Sequence, residues 1–186
     1  LLLSETFVMG NSTTGSNSDG GGIYITNGML DVQMSTIEGN DATGYGGGIY
    51  YSTLDPSTIT DTTFHLNTSD LHGAGLAMNS GSLTIERSLF DNNDSGGLGG
   101  GIGIFDGSLT IRNSTFGYND VLSHGGGIYA FNSVTVVLDV YNSTFANNTA
   151  VNGQGGGLWV GSNANFNIHS TIVALNTAAN DASGHD

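Results

Sequence analysis

The sequence predicts an all-β fold: a right-handed parallel β-helix, a solenoid of about 26 residues per coil and six to seven coils, spanning residues 1–186 as one domain. Three observations predict it. Glycine triplets or their variants begin at Gly20, Gly46, Gly73, Gly99, Gly125 and Gly155, in steps of 26, 27, 26, 26 and 30 residues. In phase with them, an apolar residue stands three positions before an Asn in Val8/Asn11, Ile37/Asn40, Phe64/Asn67, Phe90/Asn93, Phe116/Asn119, Phe145/Asn148 and Val173/Asn176. No helical period survives across a unit, whereas its apolar stretches alternate with period two, as half-buried strands do.

Each unit reads as three short strands. The first is Leu-x-Ile, with inward positions at Leu3, Val32, Ile59, Ile85, Ile111, Val140 and Ile168. The second is Ser-Thr-Phe, which begins on a hydroxyl in every copy: Thr6, Ser35, Thr62, Ser88, Ser114, Ser143 and Thr171. The third follows the glycines. Ile23, Ile49, Leu76, Ile102, Ile128 and Leu158 point inward there, and so do Ile25, Tyr51, Met78, Ile104, Ala130 and Val160. A unit this small cannot close a core alone, but copies stacked about 4.8 Å apart can. The glycines suit a sharp corner, because glycine tolerates positive φ and close backbone approach. Right-handedness follows the general hand of parallel crossovers. A leucine-rich solenoid would need a helical segment per repeat, and these units leave no room for one.

Composition narrows the function classes. The chain has 186 residues, 37% of them hydrophobic, and no Cys, so neither a disulfide framework nor a thiolate metal site is available. Sixteen acidic residues stand against two Arg and no Lys, a formal net charge of −14. Such a surface repels phosphates, which excludes nucleic acid as a partner. No apolar run is long enough for a membrane-spanning helix. The chain starts on Leu1 rather than Met, without a visible signal peptide, and is expected to be a segment of a longer one.

Glycine-glycine-aliphatic corners alternating with Phe-x-x-Asn resemble the repeat of the polymorphic outer membrane proteins and related bacterial surface β-helix proteins. The matching residues include Gly47-Gly48-Ile49, Gly126-Gly127-Ile128, Phe64 to Asn67, Phe90 to Asn93, Phe116 to Asn119 and Phe145 to Asn148. The resemblance covers nearly the whole chain. The stretch from Ser170 to Asp186 looks like the last coil before a distal region in such proteins. The resemblance implies a secreted or cell-surface β-helix and no particular ligand, because a fold does not fix a function.

Stacking turns repeated positions into columns. The Asn column reads as a structural hydrogen-bonded ladder. Arg112 falls in the column of Glu86 and Arg87 in that of Asp61, so each cation gains a carboxylate one coil away. An aromatic column runs through Tyr24, Tyr50, Ala77, Gly103, Tyr129 and Trp159, facing outward. Tyr24, Tyr50, Tyr129 and Trp159 are therefore candidate ligand-binding residues, able to stack on sugars or on a partner protein. Asp94 and Asp120 stack as like charges, with Asp91 close in sequence. This trio is the candidate metal site, and its oxygen ligands suit Ca²⁺; a solvated acidic stripe reads the same residues without a metal. His72 and His124 lie two coils apart, too far to share one metal. Six Asn-x-Ser/Thr sequons, including Asn67 and Asn113, follow from composition.

The expected function is non-enzymatic: an extracellular or cell-surface stalk, passenger or filament subunit with an adhesive face, whose open ends invite end-to-end self-association. The alternative is a polysaccharide-binding or polysaccharide-cleaving β-helix. The cleaving form would have to use Asp91, Asp94 and Asp120.

Overall fold

The computed structural model describes residues 1–131 and 133–179. The expected last stretch from Asn180 to Asp186 lies outside the described residues.

The chain winds as a parallel solenoid with four sheets along its length, two of seven strands and two of six. Sheet I carries the Leu-x-Ile strands, from Leu2–Ser4 through Ser82–Glu86 to Asn165–His169. Sheet II carries the Ser-Thr-Phe strands, from Phe7–Met9 to Ile172–Ala174. Sheet IV follows the glycine corners, from Ile23–Ile25 to Leu158–Val160. The expectation of three strands per coil is corrected by sheet III, built of two-residue strands from Asp41–Ala42 to Thr177–Ala178. Two residues cannot display a period, so alternation does not reveal them.

The register is the one the repeat demands. Ile23, Ile49, Leu76, Ile102, Ile128 and Leu158 lie opposite one another, rung by rung. In sheet II, Phe64, Phe90, Phe116 and Phe145 are fully buried, with ring centroids 4.3, 4.8 and 4.6 Å apart. Their rings lie within 8° of parallel. Burying a side chain of this size contributes roughly 1.5–3 kcal/mol.

Two polar columns close the core. Each Asn donates its side-chain amide to the Oδ1 of the next, from Asn11 to Asn176, over 2.8–3.0 Å. The same Oδ1 accepts the backbone N–H of the preceding Asn, and from Asn40 onward each amide also reaches a carbonyl of the preceding coil, as Asn93 does to Phe64. The hydroxyl column works alongside it. Ser88 Oγ accepts the Thr62 N–H and donates to the Glu86 carbonyl. Among the described residues no buried side-chain nitrogen or oxygen lacks a partner. The sequons divide on this basis: Asn67 is buried in the ladder, whereas Asn113 is exposed at a corner.

Every coil turns three corners in the left-handed region. Between sheets I and II it is occupied by Glu5, Met34, Asp61, Arg87, Asn113, Asn142 and Ser170, with φ of 46–52°. Between sheets II and III it is occupied by residues such as Gly39, Leu66 and Tyr118. The third corner is the glycine triplet. Gly46 has φ +69°, a Cβ on Gly47 would overlap the Thr68 carbonyl oxygen, and one on Gly48 would lie 2.5 Å from the Gly75 oxygen. In this triplet each glycine thus has its own reason, φ for the first and close backbone for the other two, while one coil on Ala74 takes the second position.

Both arginines are engaged as the columns predict. Arg87 forms a bidentate pair with Asp61 over 2.8 and 2.9 Å. Arg112 lies 3.9 Å from Glu86 and also covers the Tyr141 ring.

Two stability measurements check this account. Asn93→Ala leaves the Asn67 N–H without its acceptor and takes one bond each from the Asn67 amide, the Phe64 carbonyl and the Asn119 oxygen, and should destabilise the chain by about 3–5 kcal/mol in denaturant titration. Leu66 is half exposed at φ 53°, so Leu66→Gly should relieve backbone strain and stabilise by about 1 kcal/mol. A destabilised Leu66→Gly variant would contradict the corner analysis.

Candidate functional site

Two faces carry the candidate residues. On sheet IV, alternation sends the residue after each buried aliphatic outward, which builds the predicted column Tyr24, Tyr50, Ala77, Gly103, Tyr129 and Trp159. Tyr24 and Tyr50 stack at 5.0 Å, and Tyr129 and Trp159 at 4.7 Å. The four residues therefore form two separate pairs, one on each side of Ala77 and Gly103.

Their exposure differs from the expectation. Tyr24 is 58% exposed, but Tyr129 is buried at 5%. Trp159 covers one face of Tyr129, and on the other side Phe105 folds back over Gly103, where a Cβ would lie 3.2 Å from the Phe105 ring. From there Phe105 contacts Tyr129, Phe131, Tyr45 and His72, at centroid distances of 6.1, 6.5, 5.7 and 5.4 Å. Burial pushes the Tyr129 phenol up from its ordinary value. Tyr50 is raised too, by burial first and then by the Asp19 carboxylate.

Sequence reasoning missed Tyr45, Phe105 and Phe131, and it weighed His72 only as a metal ligand. The signal was present. Tyr45 and His72 each precede a glycine corner, and Phe105 and Phe131 each follow the second inward residue of a sheet IV strand. Alternation places both phenylalanines outward beside the aromatic column.

His72 is held at the corner by a backbone bond: Leu98 N–H donates to its Nδ1 over 2.9 Å. His124 accepts the Gln154 N–H in the same way. Burial holds the His72 imidazole below its ordinary value, opposed in part by a backbone bond at Leu71. Both imidazoles act as corner braces.

The acidic residues divide between sheets. Asp94 and Asp120 are register partners on sheet III, and Thr68 stands between Asp94 and Asp41. Thr68 donates its hydroxyl to Asp41. Asp91 lies on sheet II instead, 3.1 Å from His65. The predicted trio is therefore not brought together, and among the described residues no cluster of three or more metal-ligating side chains forms. A shallow groove of about 570 Å³ lies over sheet III, lined by Thr68, Asp70, Asp94, Leu122 and Val151 among others. Desolvation raises the Asp94 carboxyl above its ordinary value, and the Asp120 charge raises it further.

Residues 3–145 match the family described as right handed beta helix region, and the chain belongs to that family. No curated protein and no solved structure matches the chain.

Two titration outcomes follow from this geometry. The His72 imidazole should titrate below the ordinary histidine value of about 6.5 in NMR spectra. Its contribution to stability is complete above that pH and is lost as pH falls toward the depressed value. Asp94 has the opposite sign of shift: its ionisation disfavours the folded state. Asp94→Asn should therefore stabilise the chain at pH 7 by no more than about 1 kcal/mol, with the gain vanishing below about pH 3.9. A variant less stable at pH 7 would show instead that the carboxylate is held by a favourable contact.

Proposed function

We propose that this right-handed β-helix is a non-enzymatic structural segment of an extracellular or cell-surface protein. Its role is that of a stalk, passenger or filament subunit with adhesive side-chain faces. One observation carries the proposal: the Asn ladder runs from Asn11 to Asn176 without interruption. Leu3 and Val8 are only half buried, and Phe166, Ile168 and Val173 are 36–39% exposed although their columns point into the core. Apolar positions left exposed in this way would let a second copy meet the rod head to tail. The resemblance of the Phe-x-x-Asn and glycine corners to bacterial surface repeats supports the location.

The mechanism is mechanical. Parallel backbone ladders on four sides resist bending, and columns spaced about 4.8 Å apart present each chemical group repeatedly to a partner. Ca²⁺ bridging the Asp94 and Asp120 column would reinforce the rod.

A second reading is favoured by the Asp94–Asp120 pair beside its groove. A carboxyl with a raised pKa beside a second carboxylate is the arrangement used to cleave a glycosidic bond. In that reading Asp94 would hold the proton, and Asp120 would be the second carboxylate.

Negative-stain electron microscopy of the purified 186-residue chain, with Ca²⁺ and with chelator, tests the structural proposal. Fibres one coil wide are expected, and their shortening by chelator would place the cation in the assembly. Short single rods in both conditions would overturn self-assembly. Release of reducing sugar from neutral glycans, abolished by Asp94→Asn, would replace the structural role with the enzymatic one.

A further inference from the structure

Asn-Gly occurs twice in the chain, at Asn27–Gly28 and at Asn152–Gly153. The pair holds a latent reaction. The side-chain carbonyl carbon of an asparagine lies within reach of the next backbone nitrogen, and a glycine there has no side chain to block the approach. Whether the reaction runs depends on how freely that backbone can turn. The fold treats the two pairs differently.

Asn27–Gly28 lies at the corner that joins the strands Ile23–Ile25 and Asp31–Gln33. Thr26, Asn27, Gly28 and Met29 are all exposed. Gly28 has φ +81°, and a Cβ on it would meet nothing within 4 Å. Among the described residues its N–H has no acceptor. The Asn27 amide reaches only the Thr26 hydroxyl, at 3.4 Å. Nothing therefore holds the Gly28 nitrogen away from Asn27 Cγ.

Asn152–Gly153 is held. The Asn152 N–H donates to the Leu122 carbonyl over 2.9 Å. Gly153 is buried, and a Cβ on it would overlap the Ser123 carbonyl oxygen. Asp106–Gly107 is held too, although register puts it at the same corner as Asn27–Gly28, three coils on. The Gly107 N–H donates to the Asp106 carboxylate over 2.8 Å, and a Cβ on Gly107 would overlap the Gly81 oxygen. Asp106 also shows that this corner accepts an aspartate.

We infer that Asn27–Gly28 is a self-modification site whose only co-reactant is water. The Gly28 nitrogen gives up its proton to the solvent and attacks Asn27 Cγ. The new N–Cγ bond closes a five-membered succinimide, the Cγ–Nδ2 bond breaks, and Nδ2 leaves as ammonia. Water then opens the ring. Breaking the new bond gives aspartate; breaking the original peptide bond gives isoaspartate, whose main chain runs through the side-chain carbon. No oxidant or reductant is needed. Each event deepens the formal net charge of −14 by one. The reaction needs no partner and no particular location, so it stands apart from the structural role.

The test is peptide mass spectrometry of the folded chain, sampled during incubation in mildly alkaline buffer. A gain of one mass unit is expected first at Asn27, as both isoaspartate and aspartate, which electron-transfer fragmentation tells apart. Asn152 should convert about tenfold more slowly in the folded chain, and as fast as Asn27 in guanidinium, where its protection is lost. Asn27→Gln should abolish the early gain, because a glutamine would have to close a six-membered ring; the position is exposed, so the core is untouched. An Asn27 that stays unchanged over the time in which a synthetic peptide spanning Tyr24 to Asp31 converts would overturn the proposal, since the fold would then protect the site. Equal rates at Asn27 and Asn152 in the folded chain would overturn it as well. So would a product of aspartate alone, which marks direct hydrolysis instead of attack by Gly28.

Discussion

Each residue of this chain must stand opposite its own equivalent one coil away, and that single constraint on register governs the rest of the structure. The ladder of Asn side chains enforces it most strictly. Each Asn is bonded to the coil on either side, so slipping by one residue would break several buried bonds at once. The hydrophobic columns reinforce the same register with less directionality. Phenylalanine stacks on phenylalanine in the middle of the rod, while Ile37 and Val173 take the same position near its limits. Shape can vary there as long as the position is apolar.

The core of this fold is legible in the sequence because stacking converts spacing directly into contact. The ion pair of Arg87 with Asp61 and the ring stack of Tyr141 on His169 both follow from counting residues. What counting misses is whatever leaves the column. Phe105 leans across a glycine onto residues of three other coils, and with Trp159 it buries Tyr129. The two-residue strands of sheet III are likewise too short to carry a period. The left-handed corners at Leu66, Arg87 and Tyr118 bear no glycine, so nothing in their residue types announces them. Position within the repeat forces that conformation against local preference.

The candidate site shows the same division. Tyr24, Tyr50, Tyr129 and Trp159 share one column, but the structure resolves them into two pairs with Phe105 between. Asp94 and Asp120 share a column as their phase requires, whereas Asp91 joins them only by nearness in sequence, and the corner at Asn92 and Asn93 puts it on a different sheet. Nearness along the chain is a poor guide where the backbone turns a corner every few residues. Nearness in phase is the better one.

The Asn ladder has a direction. From Asn11 to Asn148, every side-chain amide gives one hydrogen to the Asn oxygen one coil further along the chain, and from Asn40 onward the other goes back to a backbone carbonyl. The rod is therefore a vector, with acceptors presented toward one pole and donors toward the other. An inverted neighbour would set like groups against like at its most buried point. Any material built from such rods inherits that arrow: its two tips are chemically distinct, and they need not lengthen at the same speed.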